Sequence, residues 1–290
     1  MAPTGLAILI GAGPATGAGI ARILAHPAHG NLAVALLARR PDALDDLVKD
    51  LRSDAPDATF ETFATDTSPD KLRQTFADIK AHQSFKDLKL SLAIYSIKNS
   101  SKKPFMQETF EDFMDPLESY VGGAMVFAQE SLKRIFEDHG DKTLAEGAEK
   151  KGTIIFTGTL GALRCNAEYA SYGASRASVR QLAQALAKEM SAKGSQVHVA
   201  HAIANGRITD EDSENTRSGK HIAAEAVVCI QVCASDRRAT CPLTPGLSAQ
   251  GKTYLFLHQQ DPTLWTVRHG SYQCLRAPQM HLLTVVVTAV

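Results

Sequence analysis

At 290 residues the chain is long enough to bury one large core, with at most a small appendage. Its 31 Lys and Arg residues equal its 31 Asp and Glu residues, so no net field favours nucleic acid or an anionic membrane. No amino-terminal stretch joins a basic start to an apolar core and a cleavage site, and no apolar run approaches the ~20 residues that span a bilayer, so a soluble, cytoplasmic protein acting on a small molecule is expected.

The first element is the apolar run Leu6 to Ile10, a strand. It stops in a turn containing Gly11, Gly13, Gly17 and Gly19, and Ile20 to Ala25 then restarts as a helix. Such a turn aims free backbone N–H groups and the positive end of the helix dipole at one point, where an anionic phosphate belongs. The spacing G-x-x-x-G-x-G over Gly13, Gly17 and Gly19 differs from the commoner dinucleotide fingerprint G-x-G-x-x-G. Thr16 and Ala18 complete the proposed cradle.

Leu32 to Ala38 is a continuous apolar run, the pattern of a strand covered on both faces. A helix is predicted from about Pro41 to Arg52, with Leu44, Leu47 and Leu51 at helical spacing. Phe60 to Ala64 reads as a third strand leading to Asp66, Lys71 to His82 as a helix, and Ser91 to Ile94 as a fourth strand. Phe110 to Phe136 carries one long helical periodicity. Thr153 to Thr157 is a fifth strand, Ala174 to Lys193 a helix and Val197 to Ile203 a sixth strand. Alternating strands and helices predict an α/β, Rossmann-like, doubly wound parallel sheet with helices on both faces, in a single domain with an irregular carboxy-terminal extension.

The order of motifs resembles the short-chain dehydrogenase/reductase family over residues 1 to about 226. The glycine turn at 13–19 carries the likeness, with Asp66, Tyr172-Gly173-Ala174-Ser175-Arg176 opening a helix, and Asn205-Gly206 after the sixth strand. In such a sheet an acid after the second strand selects NAD and a base accommodates the 2′-phosphate of NADP. Arg39 and Arg40 stand there, so NADP(H) is the expected cofactor, the alternative being a solvated basic pair. The family often places a basic residue where Thr16 stands. Asp66, with Thr67, resembles the family's adenine contact. Its alternative is to cap the next helix through Thr67 or Ser68.

Hydride transfer to a carbonyl needs a proton donor beside the developing alkoxide, and a cation one helical turn after a phenol favours its ionised form. Tyr172 and Arg176 have that spacing. The resemblance assigns the acid to Tyr172 and puts Thr159, thirteen residues earlier, in place of the family's serine, with Thr157 as fallback. Arg176 stands for the family's lysine, carrying the charge and touching the cofactor ribose, but a guanidinium cannot deprotonate within a proton relay. Tyr169 has Gly173 at i+4 and is the weaker candidate. The family's Asn-Asn-Ala-Gly is replaced by Tyr95-Ser96-Ile97-Lys98, its helical asparagine near Ser119-Tyr120, and its Pro-Gly by Asn205-Gly206. Ile208 is still placed to face the nicotinamide, with Gly206 before it.

His198 and His201, at i, i+3 on a strand, face opposite sides and are read as structural, with no metal site expected. Cys165, Cys229, Cys233, Cys241 and Cys274 lack zinc spacing and are read as free thiols. Residues 227–290 form an atypical segment: 227–250 reads as an insertion, 251–266 as a family-like closing helix, and 267–290 as a divergent tail. Leu282 to Val290 suits an edge strand, pairing with another subunit, or aggregation. The resemblance implies an NADPH-dependent carbonyl reductase or alcohol dehydrogenase acting on a small organic molecule, and a homo-dimer or tetramer. The alternatives are a non-redox cyclase or lyase on the same fold and a catalytically inactive nucleotide-binding protein.

Overall fold

The computed structural model describes residues 2–204, 206–210, 213–217, 221–224, 254–257 and 284–289. Strands β1 (Leu6–Ile10), β2 (Ala33–Ala38) and β4 (Leu90–Tyr95) are almost wholly apolar because both of their faces are covered. With β3 (Phe60–Ala64), β5 (Gly152–Gly158) and β6 (Val197–Ile203) they form a parallel array in the order β3-β2-β1-β4-β5-β6. One face is packed by α1 (Thr16–Ala25) and α2 (Pro41–Asp54), through Ile20, Leu24, Leu44 and Leu51. The other is packed by α3 (Pro69–Ala81), α5 (Gly123–His139) and α6 (Ala170–Ala192), through Leu72, Phe127, Val179 and Ala183. The architecture is the doubly wound sheet that the alternating pattern predicted.

β1 lies between β2 and β4, which makes its carboxyl end the topological switch point, where loops from adjacent strands diverge and leave a crevice. The close approach there is steep. Gly11 has φ 89°, and a Cβ on it would lie 2.1 Å from the carbonyl oxygen of Ser96, the residue after β4. Only glycine fits.

The single helical periodicity over Phe110 to Phe136 is divided in the structure. α4 (Phe110–Pro116), held at its start by a Thr109–Asp112 capping box, gives way to a π-helical turn over Leu117–Gly122 before α5 begins. Pro116 has no N–H and so cannot join the ordinary i→i−4 ladder. The wider turn carries Tyr120 into the interior, where it is 1% exposed. α6 starts at Ala170, four residues before the sequence estimate, so that Tyr172 lies in its first turn.

Beyond β6, short β7 (Ile208–Thr209) pairs with β8 (Ile222–Ala223), and α7 (Glu214–Arg217) lies between them. The helix expected over 251–266 is not what the described residues show: Tyr254–Leu257 form β9. β9 aligns in parallel with β10 (Thr284–Ala289). β10 in turn adds to β6 in antiparallel register, Thr288 opposite His201, so the tail joins the sheet but lies between β6 and β9 and is not its edge strand. The insertion read at 227–250, residues 267–283, Asn205 and four of the cysteines lie outside the described residues.

Candidate active site

At the switch point, α1 opens at Thr16 behind Ala15, which supplies no side-chain cap to the first N–H groups. Gly17 packs on the turn itself, where a Cβ would sit 2.9 Å from the Cα of Ala12. Gly13 faces the opposite way: its missing Cβ would meet only the Gly11 carbonyl oxygen, at 4.0 Å. Gly13 and Thr16 are half-buried at the turn, while Gly17, Ala18 and Gly19 are buried beneath it, and the first N–H groups of α1 receive no side-chain cap.

Arg39 and Arg40 follow β2 and are exposed. Arg39 acts electrostatically on Asp66 across the ends of β2 and β3. The Asp66 carboxylate accepts hydrogen bonds from the Ser68 hydroxyl at 2.6 Å and the Ser68 N–H at 2.9 Å, which hold its pKa below the usual carboxylate value. These bonds close a turn ahead of α3, whose N-cap Ser68 makes no side-chain cap hydrogen bond, so Asp66 does not itself cap the helix. Thr67 packs beneath Gly123, whose Cβ would fall 2.6 Å from that of Thr67.

The chemical group lies two strands away. Thr159 follows β5 and Tyr172 opens α6, and their hydroxyl oxygens are 2.6 Å apart. Gly161 keeps this possible, since a Cβ there would strike the Tyr172 ring at 2.5 Å. Thr157, the fallback, turns instead to Ser96 Oγ at 3.1 Å and the Tyr95 carbonyl at 3.3 Å. Tyr169 stacks edge-on to Tyr172 with ring centroids 5.7 Å apart. It also feels Lys102, a cation from another loop that helical spacing does not reveal.

Arg176 is buried, with its guanidinium carbon 5.2 Å from the Tyr172 ring centroid and 4.1 Å from that of Tyr120. Its Nη2 donates to the Asn99 carbonyl at 2.8 Å and its Nη1 to the Tyr120 hydroxyl. Tyr120 in turn approaches the Thr157 carbonyl, and burial pushes its phenol pKa up against the opposing pull of Arg176. Tyr95 donates to the Tyr120 carbonyl at 2.8 Å. Sequence reasoning noticed Ser119-Tyr120 only as the place of a missing asparagine; the apolar helix pattern around it gave no sign that the phenol turns inward. Lys98, by contrast, is exposed.

The loops after β4 and β5 are zipped beside this group. Lys103 N–H donates to the Glu168 carbonyl at 2.8 Å, Lys102 pairs with the Glu168 carboxylate at 3.1 Å, and Glu168 holds φ at 70°. A cavity of about 500 Å³ opens here, lined by Pro104, Phe105, Cys165, Ala167, Tyr169 and Ala170 among others. Burial raises the Cys165 thiol pKa. On the far side, Arg22 of α1 grips both carboxylate oxygens of Asp210 at 2.9 and 3.1 Å, which ties the segment carrying Gly206 and Ile208 to the glycine-turn helix.

His201 lies under α6, 1% exposed, with neither ring nitrogen hydrogen-bonded. Desolvation, with the nearby Arg180 and Arg176, lowers its pKa to about 3. His198 is half-buried on the same strand. Among the described residues no group of three or more His, Cys, Asp or Glu is arranged to hold a metal ion, and no helix is long and apolar enough to cross a membrane.

Residues 13–233 of the chain match the sequence model of the family described as Enoyl-(Acyl carrier protein) reductase. The chain belongs to the short-chain dehydrogenase/reductase family. Similar solved members include a short-chain dehydrogenase from Rhodopseudomonas palustris, with 22% identity and TM-score 0.61 over 82% of this chain and 93% of that one. A metagenomic short-chain oxidoreductase in complex with NADP has 16% identity and TM-score 0.62, covering 81% and 92%. An NADPH-bound short-chain oxidoreductase from Pseudomonas aeruginosa PAO1, described as containing an atypical catalytic center, has 19% identity and TM-score 0.55, covering 67% and 68%. These likenesses concern the fold. A comparison with curated protein sequences finds no match.

Proposed function

We propose that this short-chain dehydrogenase/reductase reduces the carbonyl group of a small organic molecule with NADPH, or runs the reverse oxidation of an alcohol. The carrying observation is the 2.6 Å contact between the Thr159 and Tyr172 hydroxyls at the carboxyl end of β5. An oxygen brought against this pair lies within reach of both. Tyr172 then gives its proton to the oxygen as negative charge develops there, and Thr159 donates a hydrogen bond that holds the oxygen in place. The cation of Arg176 under the Tyr172 ring stabilises the phenolate left behind, which solvent reprotonates.

The residues present fit a dinucleotide. Gly13 and Thr16 border the open cradle for its pyrophosphate, Arg39 and Arg40 stand where a 2′-phosphate needs a guanidinium, and Asp66, Thr67, Gly206 and Ile208 rim the remaining length. Bound there, NADPH would supply the hydride. The apolar cavity beside Tyr169 favours a substrate whose carbonyl is borne on an apolar body.

The test is cofactor binding by fluorescence titration together with NADPH consumption over a carbonyl panel. Tyr172→Phe is expected to lower turnover by about 10²- to 10⁴-fold, the usual worth of a general acid, with NADPH affinity unchanged. Equal turnover in the variant removes Tyr172 from the mechanism. NADPH binding without consumption of any carbonyl compound favours the non-redox reading instead.

A further inference from the structure

Arg176 is the most costly side chain in the site to bury, since a guanidinium keeps its charge at any working pH and carries five donors. The fold meets most of that cost with aromatic and oxygen partners, leaving only Nε buried without one. The guanidinium carbon lies over two phenol rings, 4.1 Å from the centroid of Tyr120 and 5.2 Å from that of Tyr172. Its edge reaches the Tyr120 hydroxyl, the Asn99 carbonyl at 2.8 Å and the Ile97 carbonyl at 3.5 Å. Three elements thereby meet on one side chain: the π-helical turn, α6 and the main chain that follows β4. That main chain also forms the wall against which Gly11 of the glycine turn packs.

We propose that Tyr120 is a positioning residue: its hydroxyl and ring seat Arg176 against Tyr172, and the seated guanidinium fastens the 97–99 segment between the acid and the nucleotide cradle. This rests on the reading of Tyr172 as the acid. A planar fork is required here, because an ammonium presents its donors from one point and cannot reach the Ile97 and Asn99 carbonyls and the Tyr120 hydroxyl while also covering two rings. Arginine at 176 is therefore adapted to this chain. Restoring the family's usual lysine lowers activity instead of raising it.

The experiment compares Tyr120→Phe, Arg176→Lys and the double variant in the full chain. Tyr120→Phe keeps the ring and its packing and removes only the hydroxyl. Tryptic cleavage after Lys98, followed by mass spectrometry, reports the fastening of the 97–99 segment and needs no substrate. Loss of one charge-assisted hydrogen bond is expected to speed cleavage about tenfold or more in each single variant. The double variant is expected to match Arg176→Lys alone, since the hydroxyl then has no fork to seat. With a reducible carbonyl compound, kcat falls in both single variants at unchanged KM for NADPH, a split that mere loosening of the fold does not produce. Unchanged cleavage or normal kcat in Tyr120→Phe overturns the proposal, as does a higher kcat in Arg176→Lys. A wild-type chain that reduces no carbonyl compound defeats the functional reading, while the cleavage rates still decide the fastening.

Discussion

His201 provides a sharp acid-stability test. Its imidazole fills the space left by Gly158, where a Cβ would lie 2.4 Å from Nε2, and it has no hydrogen-bond partner. Protonation there would bury a cation beside Arg180 and Arg176, and the pKa falls from 6.5 to about 3. Above pH 6.5 the imidazole is neutral in both the folded and unfolded chains, so it adds no pH dependence. Between about 6.5 and 3 only the unfolded chain takes up the proton, so stability declines as the pH falls through this window. At pH 4.5 the two values correspond to a loss of about 3 kcal/mol relative to pH 7, approaching ~5 kcal/mol below pH 3. His201→Leu removes the titration while keeping an apolar side chain under α6. Urea unfolding of both proteins at pH 7 and 4.5 measures it, because carboxylates common to both cancel in the difference. The wild type should lose about 3 kcal/mol more than the variant on acidification. Equal losses would mean that His201 is solvated or hydrogen-bonded in solution, and the argument from burial would fail.

Three further outcomes follow from the site. Gly11→Ala sets a Cβ 2.1 Å from a backbone oxygen at a positive φ, and is expected to cost at least about 2 kcal/mol, a drop of several degrees in thermal midpoint with loss of NADPH binding. Arg39→Ala should weaken NADPH about tenfold or more and leave NADH nearly unchanged, measured by paired fluorescence titrations; equal weakening would deny the guanidinium a phosphate role. Thr159→Ala should cut turnover about 10²-fold with Thr159→Ser retaining most of it, since only the hydroxyl touches Tyr172; equal rates in Thr159→Ala would move the oxygen-positioning role elsewhere.

Local patterns in the chain were enough for the parallel core. Leu6 to Ile10 and Leu32 to Ala38 are apolar on every residue because both sheet faces are covered, and Pro41 and the glycine turn mark where helices start, whereas α3 opens at Pro69, two residues before the sequence placed it. Thr159 is reached from Tyr172 through the family's thirteen-residue spacing, and the two hydroxyls do lie 2.6 Å apart. These are short-range regularities, readable within a few turns of chain. The fate of Arg176 was not readable in this way. Its spacing from Tyr172 disclosed one of the two rings beside it, whereas Tyr120, Asn99 and Ile97 come from segments 56 to 79 residues away. The same holds for Lys102 beside Tyr169, Arg22 on Asp210, and His201 beneath α6. Each pairing depends on where a π-helical turn or a loop end falls in three dimensions, and no periodicity encodes that.

What the amino-acid order determined alone is the layered sheet and the glycine turn at its first strand end, since hydrophobic period suffices for these, while the pairing of Thr159 with Tyr172 was reached through the resemblance to the family. What only the tertiary structure decided is which neutral groups surround a buried guanidinium and how it is shared between α6 and the 97–99 segment. Desolvation drives its donors toward partners, and the oxygens and rings that Arg176 meets are near it only after the chain has folded.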